Sequence, residues 1–115
     1  MSKSLLTLLL IAAAGPAWAH AILVQSTPAA LSHVKAGPIT AILRYNSRID
    51  AARSKLTLTG PNGPAQRLAV TAGDTPDSLH ADITLAPGAY TLRWQVLATD
   101  GHITRGNVPF TVDAP

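Results

Sequence analysis

The sequence predicts an all-β domain, a β-sandwich or Greek-key barrel of about seven short strands. Apolar and polar residues alternate at period two in several stretches, which marks half-buried strands. Clusters of Gly, Pro, Asn and Asp separate those stretches at roughly 8–12-residue spacing, and no helical period follows the N-terminal segment.

That segment is read apart from the fold. Lys3 supplies a positive start, and Leu5 to Ala14 form an apolar run too short to span a membrane. Gly15 and Pro16 break the run, and Ala17-Trp18-Ala19 places small residues where a signal peptidase cuts, after Ala19. The expected organisation is a signal peptide over 1–19 and one domain over 20–115. Removing the leader leaves 115 − 19 = 96 residues, enough for a single core. It also makes His20 the first residue, with a free amine beside its imidazole. No internal histidine has that chelating pair.

Ala21-Ile22-Leu23-Val24 reads as a short, well-buried strand. Ser26-Thr27-Pro28-Ala29-Ala30 reads as a turn, because Pro28 fixes its own φ and pushes Thr27 into extended geometry. Gly37-Pro38 marks another turn. Ile39, Ala41, Leu43 and Tyr45 then alternate with Thr40, Ile42, Arg44 and Asn46, and Leu56 and Leu58 repeat the pattern. Gly60-Pro61-Asn62-Gly63-Pro64 is the densest turn signal and should cap a hairpin or crossover. Leu68 and Val70 suggest one more short strand, and Thr71 to Ser78 an exposed loop. Leu79, Ala81, Ile83 and Leu85 alternate again. Pro87-Gly88 turns into a stretch where Tyr90, Leu92, Trp94 and Val96 face one way, with Trp94 expected as core anchor. Val108, Phe110 and Val112 close the pattern.

Composition narrows the function. Cysteine is absent, which excludes a disulfide framework, cysteine nucleophiles, thiolate zinc sites and cysteine-ligated copper. A lipid anchor at the cut is disfavoured for the same reason. Beyond the leader, eight Lys and Arg oppose six Asp, and they are scattered along the chain, so nucleic-acid binding has little support. The product is expected to be exported, with the periplasm as its place.

Chemistry concentrates at Asp100-Gly101-His102. In an extended chain residues two apart share a face, and Gly101 lets the backbone tighten between them. With the His20 amine and imidazole, these give three nitrogens and a carboxylate oxygen. That set suits tetragonal Cu(II); zinc accepts a His/His/Asp set too, and the amine tilts the choice to copper, at the top of the divalent affinity order.

At these residues the chain resembles the CopC family of periplasmic copper-binding proteins. The resemblance covers His20-Ala21, Ser26-Thr27-Pro28-Ala29, Leu85-Ala86-Pro87-Gly88-Ala89-Tyr90-Thr91-Leu92-Arg93-Trp94, Asp100-Gly101-His102, Gly106 and Phe110. It implies a cupredoxin-like or immunoglobulin-like Greek-key barrel holding one Cu(II) per chain through His20, Asp100 and His102. It further implies a role in copper uptake or resistance with a CopD-like inner-membrane partner; the chain is expected to be a monomeric carrier and not an enzyme. Some family members carry a methionine-rich loop for Cu(I). Here the only methionine is Met1, so a Cu(II)-only member is expected.

Two other classes compete. An N-terminal histidine with a second histidine also forms the copper brace of oxidative polysaccharide enzymes, but this small chain has few aromatics for a substrate platform. A metal-free interaction sandwich is the third reading. His33 is expected in a solvated loop, and His80 on the outward face of a strand. Arg44, Arg48 and Arg53 are expected in solvent, with a docking face as the alternative.

Overall fold

The period-two stretches pair into two sheets that bury their apolar faces against each other. The computed structural model describes residues 21–115; the predicted leader and His20 lie outside the described residues. In chain order the strands are β1 (Leu23–Thr27), β2 (His33–Lys35), β3 (Gly37–Tyr45), β4 (Lys55–Thr59), β5 (Gln66–Arg67), β6 (Thr71–Ala72), β7 (Ser78–Leu85), β8 (Gly88–Leu97) and β9 (Ile103–Asp113), with one 3-10 turn at Ala51–Arg53. One sheet runs β1-β3-β7-β6 and the other β2-β9-β8-β4-β5. Pairings are antiparallel except β2 with β9. This is a Greek-key β-sandwich, the expected fold class.

The core follows the alternation. Ala41, Leu43 and Tyr45 from β3 and Leu79, Ala81, Ile83 and Leu85 from β7 line one wall. Leu56, Leu92, Trp94, Val96, Val108, Phe110 and Val112 line the other. Among the described residues there is no cysteine, so burial carries the stability. Each fully buried large apolar side chain contributes about 1.5–3 kcal/mol. Trp94 anchors the core as expected, its ring meeting Tyr45 edge-on at 5.2 Å and 69°. Burial raises the Tyr45 phenol above its ordinary pKa. Tyr90 stacks on Phe110 at 5.5 Å and donates its hydroxyl to the Ala86 carbonyl at 2.7 Å.

Several local expectations change. The first strand begins at Leu23, and of the Ala21–Val24 run only Ala21 is buried; Ile22 and Val24 are 51% and 54% exposed. β1 lies at a sheet edge, and its register against β3 shifts between Leu23 and Gln25, which bulges Val24. Leu68 and Val70 form no strand. They sit where the chain crosses from β5 to β6, Leu68 buried and bonded to the Leu56 carbonyl at 2.9 Å. Part of the expected loop pairs instead: Thr71 and Ala72 oppose His80 and Leu79. The two-residue β5 and β6 and three-residue β2 account for more strands than expected; each is too short to print a period.

Trp94 dictates what its neighbour must be. Its indole lies over Gly106 on β9, where an added Cβ would stand 2.5 Å from the ring. Gly106→Ala is therefore expected to displace the ring and lower unfolding free energy by about 1–3 kcal/mol. Urea denaturation followed by circular dichroism measures it.

Candidate metal centre

β8 and β9 stay in register from Gly88 opposite Val112 to Leu97 opposite Ile103, and the Asp-Gly-His motif is the tip of that hairpin. The tip is a tight turn, not extended chain. The Ala98 N–H donates to the His102 carbonyl at 2.8 Å, and the Gly101 N–H to the Ala98 carbonyl at 2.9 Å. Gly101 has φ +93, in the region that favours glycine. The turn brings the flanking side chains together by curling the chain.

Asp100 Oδ1 accepts the His102 backbone N–H at 3.1 Å, and Oδ2 lies 3.0 Å from His102 Nδ1. The side chains are 36% and 56% exposed, respectively. Both donors are thus oriented yet reachable from solvent. The tip is steadied from behind. Ala98 bridges to Ile49, and the Asp50 N–H donates to the Leu97 carbonyl at 2.8 Å. Buried Ser54 accepts the Leu97 N–H at 3.3 Å and donates to the Asp50 carbonyl at 2.7 Å.

The start of the described chain runs beside this tip. Thr104, two residues past His102, donates its hydroxyl to the buried Ala21 carbonyl at 2.8 Å. Asn46 holds the next residue twice: its Oδ1 accepts the Ile22 N–H at 2.8 Å, and its N–H donates to the Ile22 carbonyl at 3.0 Å. Thr104 and Asn46 were missed by sequence reasoning, as was Ser54. No local pattern marks them, since each acts on chain remote in sequence.

His20 lies outside the described residues. Among those described, no group of three or more His, Cys, Asp or Glu side chains is placed to hold a metal. The other histidines stand apart. His33 is on β2, not in a loop, and its Nδ1 lies 2.8 Å from Asp113 Oδ1. His80 is half-buried on β7, outward as expected. Arg44, Arg48 and Arg53 are exposed, and Arg53 stands 3.9 Å from Asp50.

A family model described as the CopC domain matches residues 23–113. The chain belongs to the CopC family. Among CopC relatives, copper resistance protein C of Xanthomonas campestris pv. juglandis is 30% identical over 109 residues, covering 87% of this chain and 85% of that one. Protein YobA of Escherichia coli (strain K12) is 32% identical over 99 residues, covering 83% and 80%. The crystal structure of CopC from Methylosinus trichosporium OB3b superposes with TM-score 0.72 at 33% identity, covering 82% of this chain and 94% of that one. PcoC, a methionine-rich copper resistance protein from Escherichia coli, gives 0.68 at 32%, covering 82% and 99%.

The Thr104 hydroxyl ties the first described residue, Ala21, to the strand that follows the candidate site. Thr104→Val keeps the shape and removes the donor. It is expected to cost about 0.5–1.5 kcal/mol of stability. Amide exchange at Ile22 should accelerate, while that of Leu92 and Val96 changes only with global stability. Hydrogen exchange read by NMR measures both.

Proposed function

We propose that this chain is a periplasmic Cu(II) carrier in copper homeostasis, with the His20 amine and imidazole, Asp100 and His102 as ligands to one ion. The reading takes the leader to be cleaved after Ala19. The observation that carries it is the fastening of Ala21 to Thr104, beside the Asp-Gly-His turn. Consecutive Cα atoms are about 3.8 Å apart, so a chain beginning at residue 20 begins next to that turn.

The donor set fits the ion. Bonds of ~2.0–2.1 Å put adjacent donors about 2.9 Å apart on one metal, close to the 3.0 Å between Asp100 Oδ2 and His102 Nδ1. Imidazole, amine and carboxylate suit Cu(II). Membership of a family that includes proteins named for copper resistance supports copper over zinc. Cu(I) prefers soft ligands, and the sole methionine, Met1, leaves with the leader. The carrier therefore favours the oxidised ion. Half-exposed donors on a rigid hairpin suit handover of a metal, and a CopD-like inner-membrane transporter is the partner proposed.

The decisive test is Cu(II) titration of the exported protein after N-terminal sequencing. One residue added before His20 should cut affinity by orders of magnitude. His102→Ala should do likewise, while His33→Ala and His80→Ala leave it nearly unchanged. Comparable losses from all four changes would sink the assignment.

The amine must lose its proton to bind, and its free pKa is about 7.7–8.0. Cu(II) affinity is thus expected to fall as pH drops from 8 to 5. An unchanged affinity over that range, measured by competition with a chelator, would exclude the amine as a ligand.

A further inference from the structure

The outer face of the five-stranded sheet gathers cations that lie far apart in sequence. Register places Arg67, Thr57, Arg93 and Asn107 in one row across β5, β4, β8 and β9. Lys55, Gln95 and Arg105 form the next row. These side chains point outward, because Leu56, Leu92, Trp94, Val96 and Val108 on the same strands are buried. Lys55, Arg67, Arg93 and Arg105 are all exposed.

Strands about 4.8 Å apart set Lys55 and Arg105 about 10 Å from each other at the backbone, with Arg93 one row away. The only acid on β4, β5, β8 or β9 is Asp113 at the far end, which faces His33. Among the described residues, no ion pair joins any of the four cations to a carboxylate. Arg105 Nε donates to Gln95 Oε1 at 2.8 Å, which spreads the side chain along the sheet. Asp74, Asp77 and Asp82 lie on the opposite side, on the β6–β7 turn and β7, where Arg44 of β3 is the one cation among them. The molecule is therefore electrically polar, with one cationic sheet face.

We propose that this face lies against an anionic phospholipid surface. Protein interfaces use Arg together with aromatic or apolar anchors that fill pockets near the centre. Here the centre is Arg93, Gln95, Thr57 and Arg105, and the large exposed hydrophobic on these strands, Ile103, is at the rim beside the hairpin tip. A broad cationic sheet without a central anchor matches a diffuse layer of phosphate headgroups better than a shaped protein surface. Arg suits phosphate through paired N–H donors. Attraction of this kind is worth about fivefold in partitioning for each Lys or Arg near the surface. In this orientation the tip that carries Asp100 and His102 lies at the edge of the contact, not beneath it.

The test needs no copper, so it is independent of the proposed metal ligands. Processed protein is sedimented with vesicles of phosphatidylglycerol mixed with phosphatidylcholine, and with phosphatidylcholine alone. Binding to the first only, weakened by salt, is expected. The double variant Arg93→Gln, Arg105→Gln should lose about 25-fold in partitioning. Lys55→Gln with Arg67→Gln should lose a similar amount. Arg44→Gln with Arg48→Gln removes the same net charge elsewhere and should lose less than about fivefold. Equal losses from all three pairs would overturn the proposal, as would equal binding to both vesicle types. Retention on polyglutamate without vesicle binding would overturn it in favour of an acidic protein surface.

Discussion

The ladder between β8 and β9 is the constraint on which the rest of this protein depends. One face of that hairpin delivers Leu92, Trp94, Val96, Val108 and Phe110 to the core. Its other face displays Arg93 and Arg105, and its end holds Asp100 and His102. A one-residue slip would exchange the two faces, exposing the core residues and burying the arginines. Register is thus fixed by a large apolar penalty. The geometry of the tip inherits that rigidity.

The tip also shows how a small sandwich can combine firmness with access. Hydrogen bonds from Asp50 and Ser54 hold the strand end behind the turn, whereas the Asp100 and His102 side chains remain open to solvent. Local order comes from backbone and hydroxyl groups, so the donors themselves need not be buried. The Ala21 tie extends the same economy to the first described residue.

Alternation made most of the fold legible, because two-residue periodicity and one-sided burial are the same fact seen twice. Tyr90, Leu92, Trp94 and Val96 show it most clearly. It failed at Leu68 and Val70, whose apolar character reflects burial at a crossover and not strand pairing. His33 looked like loop because β2 spans only three residues and pairs in parallel with a strand at the other end of the chain. At the candidate site, Asp100 and His102 were visible as a motif, but their contact through a curled turn was not. Thr104 and Asn46 were invisible, since hydrogen bonds across 83 and 24 residues leave no local trace. The basic residues looked scattered for the same reason: only the order β5-β4-β8-β9 aligns them.

The bulge at Val24 bears on a different property, the colloidal behaviour of the folded chain. β1 is an outer strand of the four-stranded sheet, and an uninterrupted outer strand is a template for growth by a neighbouring molecule. The register shift between Leu23 and Gln25 breaks the even spacing of N–H and C=O groups that such growth requires. Smoothing that kink would risk edge-to-edge polymerisation, even though it would tidy the internal pairing.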